Sequence, residues 1–325
     1  MELVCPAGTP AALRTAVEAG AHAVYCGFRN ETNARNFPGL NFSEQELTES
    51  IAFAKARGAK VLVALNTFAQ AGGSDLWKRS ADAAVAAGAH ALILADLGLL
   101  DYCQTTHPDT RRHLSVQAAA ANPDSIAFYQ EEFGVKRVVL PRVLTVAEIT
   151  AINKEISCET EVFVFGGLCV MAEGRCSLSS YCTGKSPNMN GVCSPPSHVS
   201  YDTRDGKLHS LLGDVTINQF EANEPAAYPT LCKGRFKVHG ETFHIFEDPV
   251  SLNAAQLLPQ LKTAGVTALK IEGRQRGKAY MAQVVRSFRQ AIDALERGED
   301  HDLENLLPLM EGQRETGGAY RKTWR

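Results

Sequence analysis

The stretch from residue 60 to residue 100, KVLVALNTFAQAGGSDLWKRSADAAVAAGAHALILADLGLL, contains two copies of one structural unit. Each copy begins with a short apolar strand, at Val61–Leu65 and at Ala91–Ala95. Each strand is followed by an amphipathic pattern typical of a helix, over Ser74–Ala87 and over Leu97–Thr105. Because strands that alternate with helices form parallel sheets, this stretch predicts an α/β fold.

The same unit recurs along the chain, and eight copies predict a closed (β/α)8 barrel of the TIM type. The predicted strands are Leu3–Cys5, Ala23–Cys26, Val61–Leu65, Ala91–Ala95, His113–Val116, Arg137–Leu140, Val162–Phe165 and Ala268–Ile271. An open doubly wound sheet is the alternative, and it is disfavoured because no G-x-G-x-x-G follows the first strand. Barrels of this length fold as one unit, so residues 1–325 are predicted to form a single barrel domain.

Composition excludes several classes of protein. The chain has 325 residues, 45% of them hydrophobic, and a formal net charge of -3, so no global positive field attracts nucleic acid or an acidic membrane. The opening MELVCPAGTP lacks the basic and apolar regions of a signal peptide, and no apolar run approaches the ~18 residues of a membrane span. We expect a cytoplasmic protein without a transmembrane segment, in which disulfides are disfavoured.

The repeat is interrupted once, after strand seven. Residues 166–252 form a predicted insertion, which ends near a helix expected from Asn253. A short hairpin is predicted around His239–Glu241, but the segment otherwise has little continuous apolar sequence. Since a structureless loop of this length is unusual in a compact domain, we expect a metal site to hold it together. The tail after Asp302 is weakly patterned and is predicted to form surface segments on the barrel.

Cysteines in the insertion are candidate metal ligands. Four of them stand close to glycine or proline, which let irregular backbone approach a cluster closely: Cys169, Cys176, Cys193 and Cys232. Cys182 is a fifth, lower-ranked candidate. Buried free thiols and a Cys₄ zinc site are the alternatives, although zinc sites usually contain a C-x₂₋₄-C pair that is missing here. The remaining predictions place Cys158 in a turn and three cysteines in the barrel core: Cys5, Cys26 and Cys103.

The beginning of the insertion resembles the signature of the collagenase-like peptidase family U32. The matching residues are Glu161–Phe163, Gly166, Leu168–Cys169, Gly174–Cys176 and Leu178–Ser179. Further matches occur at Cys5–Gly8, Asn33–Phe37 and Lys270–Arg274, so the resemblance spans the whole chain. It departs at Gly167, where the family usually has serine or alanine. We expect this departure to have little effect, because glycine is smaller.

The resemblance implies a [4Fe–4S] cluster on Cys169, Cys176, Cys193 and Cys232. Within the family, the run Thr230–Arg235 is most similar to proteins of ubiquinone biosynthesis. This implies oxygen-independent hydroxylation of an isoprenoid quinone precursor, prephenate as the hydroxyl donor and a heterodimer with a homologous, UbiV-like subunit. A lipid-carrier protein is a further candidate partner. Hydroxylation of RNA bases, proteolysis and a non-catalytic electron-transfer role remain alternatives.

Barrel enzymes place their chemistry at the carboxyl ends of the strands. The candidate residues at those ends are Arg35, Asn66, Gln117, Arg142, Glu272 and Arg274. The three arginines are suited to the carboxylates of a dicarboxylate donor, and Glu272 to charge balance or proton abstraction. A structural Glu272–Arg274 ion pair, with Asn66 and Gln117 capping loops, is the alternative. The insertion leaves strand seven at the same face, so the cysteines are expected over the barrel mouth.

The peptidase alternative lacks a recognisable nucleophile motif. Neither G-x-S-x-G nor H-E-x-x-H occurs. His113 is the histidine expected nearest the barrel interior, and we predict that it is a core residue. The sequence leaves open whether Lys270 points into the barrel or towards the site.

Overall fold

Strands and helices alternate along the chain as the 60–100 stretch predicts. The computed structural model describes residues 1–190, 192–299 and 306–321. Its strands are, in chain order, β1 (Glu2–Pro6), β2 (Ala23–Cys26), β3 (Lys60–Leu65), β4 (Ala91–Leu94), β5 (Arg111–Leu114), β6 (Arg137–Val139), β7 (Glu159–Gly167), β8 (Val199–Arg204), β9 (Lys207–Leu212), β10 (Val215–Phe220), β11 (Arg235–Val238), β12 (Glu241–His244), β13 (Ser251–Asn253), β14 (Ala268–Ile271) and β15 (Glu315–Thr316). Its α-helices are α1 (Pro10–Glu18), α2 (Glu44–Lys55), α3 (Asp75–Ala86), α4 (Leu97–Thr106), α5 (Pro123–Phe133), α6 (Val146–Glu155), α7 (Leu178–Thr183), α8 (Pro187–Asn190), α9 (Leu258–Thr263) and α10 (Lys278–Arg297).

The sheet closes on itself. Strands β1 to β7 pair in chain order and in parallel, and β14 pairs in parallel with both β7 and β1. In this closure Leu269 lies opposite Leu3 on one side and opposite Val162 on the other. The predicted TIM-type barrel of eight parallel strands is therefore confirmed.

Side-chain oxygens fix the starts of the surrounding helices. Ser43 and Thr145 form capping boxes, in which each hydroxyl accepts from the third helical N–H and the glutamate at that third position accepts from the N–H of the capping residue. Asp96, at the end of β4, accepts from the Leu99 N–H and begins α4. Each cap fixes the residue at which its helix begins.

Two apolar cores form because alternate strand residues face opposite sides of the sheet. On β3, Leu62 and Ala64 face the barrel interior, while Val61, Val63 and Leu65 face the helices. The interior core is dominated by small and branched side chains. The larger outer core includes all three cysteines that were predicted to be buried: Cys5, Cys26 and Cys103.

Charged residues fill the amino-terminal end of the barrel. Glu161 is fully buried on β7, with Oε1 2.6 Å from Lys270 Nζ and Oε2 3.2 Å from Arg137 Nη1. Arg137 also lies 2.6 Å from carboxylate oxygens of Glu2 and Glu159. Lys270 therefore points into the barrel, which answers the question that the sequence left open.

The insertion between β7 and β13 has structure of its own. Strands β8, β9 and β10 form an antiparallel sheet, and β11 and β12 form the predicted hairpin. Leu212, Ile217 and Phe220 of this sheet are at most 2% exposed. The expectation that a metal site holds this segment together is therefore incomplete, because the segment also buries apolar residues of its own. A strand that is buried on one face carries apolar and polar residues in alternation. The sequence of this sheet therefore contains no long continuous apolar run that would predict it.

The helix predicted near Asn253 is present but begins later, because Ser251–Asn253 is strand β13 and a 3-10 turn over Ala255–Leu257 leads into α9. Strand β13 pairs antiparallel with the carboxyl-terminal overrun of β7, with Leu252 opposite Gly166, and α9 begins only at Leu258. The chain tail contributes β15, which pairs with β13. The Tyr320 hydroxyl donates to the Phe163 carbonyl over 2.7 Å, so part of the tail is buried rather than superficial.

Two other properties of the chain bear on the predictions. Residues 300–305 and 322–325 of the tail, and Gly191 before Cys193, lie outside the described residues. Within the described ranges, no helix combines the length and apolar character needed to cross a membrane.

The first prediction concerns the buried ion pairs of Glu161, Lys270 and Arg137 at the amino-terminal end of the barrel. These pairs and the neighbouring ion pairs of Glu2 and Glu159 are called the floor network. Replacing Glu161 by Gln leaves Lys270 and Arg137 without their shared buried carboxylate, which is expected to lower the free energy of unfolding by about 3–5 kcal/mol. Asp202→Asn is the control, because its ion pair with Arg204 is exposed and is expected to contribute about 0–1 kcal/mol. Urea unfolding measures both variants. Equal midpoints would show that the floor network does not stabilise the barrel.

Candidate functional site

A cavity of about 590 Å³ opens at the carboxyl ends of the barrel strands. Its lower wall consists of barrel residues such as Tyr25, Ile93 and Phe163, and its upper wall consists of residues from the insertion. All six predicted barrel-mouth residues and all four predicted cluster ligands line it: Arg35, Asn66, Gln117, Arg142, Glu272, Arg274, Cys169, Cys176, Cys193 and Cys232.

The four cysteines reach this cavity from separate parts of the insertion. Cys169 and Cys176 flank the first turn after β7, Cys193 follows α8, and Cys232 precedes β11. All are free thiols, and burial raises the pKa of Cys169 and of Cys232 to about 12. Among the described residues, no three His, Cys, Asp or Glu side chains stand close enough to hold one metal ion. Cysteine thiolates are the usual ligands of iron–sulfur clusters, and four thiols line this one cavity, so the residue types present suit such a cluster.

Glu272 is bound at the mouth by β7 and by Arg35. The Gly167 N–H donates to Oε2 over 2.8 Å, and Arg35 Nε lies 3.7 Å from Oε1. Burial acts to raise the pKa of Glu272, but the charges of Arg142 and Arg35 and the Gly167 N–H outweigh it and lower that pKa. Glu272 is therefore a carboxylate at neutral pH, and its ion pair is with Arg35 rather than with Arg274.

Gly167 makes this contact sterically feasible. A Cβ atom at position 167 would lie 2.2 Å from Glu272 Oε2. Glycine at position 167 therefore has a larger effect than expected from the sequence, because serine or alanine there would require the Glu272 side chain to move.

Arg142 clamps the insertion to the barrel. Its Nε lies 2.6 Å from Glu173 Oε1, it donates to the Gly167 carbonyl, and its guanidinium lies 4.2 Å from the centroid of the Phe163 ring. Burial acts to lower the pKa of Arg142, but Glu173 and Glu272 raise it overall. Arg142 is thus a positioning residue. Sequence reasoning missed Glu173, whose only signal is its position directly before Gly174.

Arg274 lies deeper and has different partners. Its Nη1 donates to Asn33 Oδ1 over 2.7 Å, and the guanidinium lies 5.5 Å from the centroid of the Tyr25 ring. In the described ranges no carboxylate lies within 4.0 Å of it. Burial lowers the pKa of Arg274 to about 10, so it remains a cation at neutral pH.

The two predicted amides differ in their hydrogen bonding. Asn66 accepts from the Ala34 N–H over 3.0 Å and donates to Ser115 Oγ over 3.1 Å, so it joins two loops, as the structural alternative predicted. Gln117 is 7% exposed, and its Oε1 is buried without a hydrogen-bond partner in the described structure. Because an unsatisfied buried acceptor is costly, Gln117 Oε1 is suited to a ligand that donates an N–H or O–H.

The peptidase alternative gains no support from this geometry. His113 is 1% exposed, accepts from Arg111 Nε over 2.9 Å and has a pKa well below its usual value because burial disfavours its charged form. The raised thiol pKa of Cys169 and of Cys232 is the opposite of an activated nucleophile. His113 is a core residue, as predicted.

Contact between the insertion and the loop after β5 generates the second prediction. A Cβ atom at Gly174 (φ +80°) would lie 1.8 Å from the Gln117 carbonyl oxygen. Gly184 also lies in the insertion with a positive φ (+68°), but no heavy atom lies within 4 Å of its Cβ position. Gly184→Ala is expected to cost about 1–2 kcal/mol from backbone strain, and Gly174→Ala a further ~1–3 kcal/mol from overlap.

Thermal unfolding of the two glycine variants measures this difference. If Gly184→Ala and Gly174→Ala lower the midpoint equally, the insertion does not rest on the Gln117 loop as the structure places it.

Comparison with known proteins identifies the family. The family model for peptidase family U32 matches residues 8–317. A tRNA hydroxylation protein from Bacillus subtilis is 33% identical over 90% of this chain and 63% of its own length. A tRNA hydroxylation protein from Escherichia coli is 33% identical over 96% of this chain and 72% of its own, and a 23S rRNA 5-hydroxycytidine synthase from the same organism is 29% identical over 92% and 40%.

Among solved structures, a U32 peptidase superposes with a TM-score of 0.42 and 18% identity over 50% of this chain and 68% of its own. This chain thus spans between about two fifths and three quarters of the length of these relatives. The extent of the family match, together with the relative that is 33% identical over almost the whole chain, leads to one conclusion: the chain belongs to peptidase family U32.

Proposed function

We propose that this chain is the iron–sulfur subunit of an oxygen-independent hydroxylase. The observation that carries the proposal is that Cys169, Cys176, Cys193 and Cys232 line the same cavity as the ionised Glu272 and the mouth arginines. The names of the relatives support hydroxylation as the reaction, since three of them are RNA hydroxylation proteins or hydroxycytidine synthases. A [4Fe–4S] cluster on the four cysteines would supply redox or Lewis-acid chemistry beside the cavity.

The proposed substrate is a ubiquinone precursor, although the relatives named here act on RNA. Two features favour a quinone precursor: the Thr230–Arg235 run resembles that of UbiU, a ubiquinone-biosynthesis subunit, and the lower cavity wall contains apolar side chains that suit an aromatic ring. Net charge of -3 adds weak support, because RNA binding usually needs a basic surface. The proposed complex contains a UbiV-like partner in the cytoplasm and takes prephenate as donor, with a lipid-carrier protein presenting the substrate.

Residues of the cavity have separate proposed roles. Glu272 is ionised at neutral pH and is placed to accept a proton at the mouth. Gln117 Oε1 is placed to accept a hydrogen bond from a substrate O–H or N–H. Arg35 orients Glu272, and Arg142 holds the β7 overrun and Glu173 in position. The substitution Glu272→Gln removes the negative charge but keeps the shape of the side chain. It therefore tests whether Glu272 accepts a proton.

Iron content tests the cofactor. Anaerobically purified protein is expected to contain about four irons per chain with matching sulfide, and replacing any one of the four ligand cysteines by Ser is expected to lower both sharply. Cys182→Ser is the matched control, since Cys182 lies on α7 in the same insertion, apart from the cavity-lining residues of the described chain. Zinc without sulfide, or an equal loss of iron in the control, would contradict the proposal.

Substrate identity is tested in cells. A strain lacking this chain, grown without oxygen, is expected to lose ubiquinone while RNA hydroxylation remains intact. Reintroducing the unaltered chain should restore ubiquinone, whereas Glu272→Gln with unchanged iron content should not. Normal ubiquinone together with a missing RNA modification would instead assign the chain to the RNA-hydroxylating function of its relatives.

A further inference from the structure

The lower, barrel end of the cavity is lined by two cations, Lys270 and Arg274. The floor network joins the cations Lys60, Arg111, Arg137 and Lys270 to the carboxylates of Glu2, Glu159 and Glu161. Lys60 and Arg111 are 45% and 30% exposed, so their charges lie at the outer end of the barrel, and Lys270 is the cation of this set that lines the cavity. His113, which bonds to this set, is neutral because burial lowers its pKa well below its usual value.

Arg274 differs from Lys270, which is paired with Glu161, because no ion-pair partner of Arg274 lies among the described residues. Lys270 Nζ and the Arg274 guanidinium both face the Tyr25 ring, at 3.8 Å and 5.5 Å from its centroid. The other mouth arginines differ, because Arg142 is paired with Glu173 and Arg35 lies against Glu272. Arg274 is 8% exposed, and an unpaired charge this deeply buried is costly.

The cavity walls around Lys270 and Arg274 are apolar. Ala64, Ile93, Val139 and Phe163 line the cavity, and each is at most 4% exposed. A ligand that enters between these walls loses its water, so its apolar body gains from burial and its anionic group gains from a charge-assisted hydrogen bond. Guanidinium groups match carboxylates in particular, because their parallel N–H groups can meet both oxygens.

We propose that the barrel end of the cavity is a carboxylate subsite, in which Arg274 and Lys270 hold the carboxylate of a small cyclic acid against the apolar walls. The site deepens the proposed hydroxylase by assigning the donor's carboxylate to Arg274 and Lys270 instead of to Arg35 and Arg142. Binding can be measured without turnover, so its failure is distinguishable from failure of the proposed function.

Titration of this chain with 4-fluorobenzoate, observed by fluorine NMR, tests the subsite. Binding to the unaltered chain should be saturable, whereas the uncharged methyl ester should bind roughly tenfold or more weakly. Arg274→Gln and Lys270→Met should each weaken binding of the acid by a similar factor. Arg297→Gln is the control, because Arg297 is an exposed arginine paired with Glu299 on the surface.

Inorganic phosphate distinguishes a carboxylate subsite from a general anion site. Phosphate at the same concentration should displace little of the acid, and efficient displacement would overturn the assignment. Equal binding of acid and ester, or unchanged affinity in a folded Arg274→Gln protein, would also overturn it. If either variant fails to fold, the acid–ester comparison on the unaltered chain decides the question alone.

Discussion

Pairing of β14 with both β7 and β1 is the interaction on which the rest of the structure depends. It closes the sheet, so the carboxyl ends of eight parallel strands meet at one mouth. Because β7 continues beyond the barrel to pair with β13, the insertion is held above that mouth at both of its ends. Cysteines far apart in sequence therefore share a cavity with Glu272 and the arginines.

Much of this arrangement follows from the sequence, because its causes are local or periodic. Buried parallel strands such as β3 and β4 are short apolar runs, and the capping boxes at Ser43 and Thr145 are readable from four residues. Topology then places every strand-end residue at one face, which is why the six predicted mouth residues and the four cysteines line one cavity. The UbiU-like subfamily and the cofactor remain proposals, since the comparisons establish the family alone.

What the sequence does not reveal depends on contacts between distant segments. Glu173 gains its importance from Arg142, a residue of the loop after β6, and the Glu272 partner proved to be Arg35 rather than the nearby Arg274. The small insertion sheet was missed because its apolar residues are dispersed over three strands. The ion-pair network at the amino-terminal end of the barrel likewise becomes visible only when residues from β1, β3, β5, β6, β7 and β14 are brought together.

The central claim is that the cavity wall formed by the four cysteines holds an iron–sulfur cluster. Iron K-edge X-ray absorption on anaerobically purified protein tests it most directly, because it reports the atoms that surround the metal. The account predicts a first shell of sulfur around each iron, with iron neighbours beyond it. A shell of nitrogen and oxygen without iron neighbours would contradict it.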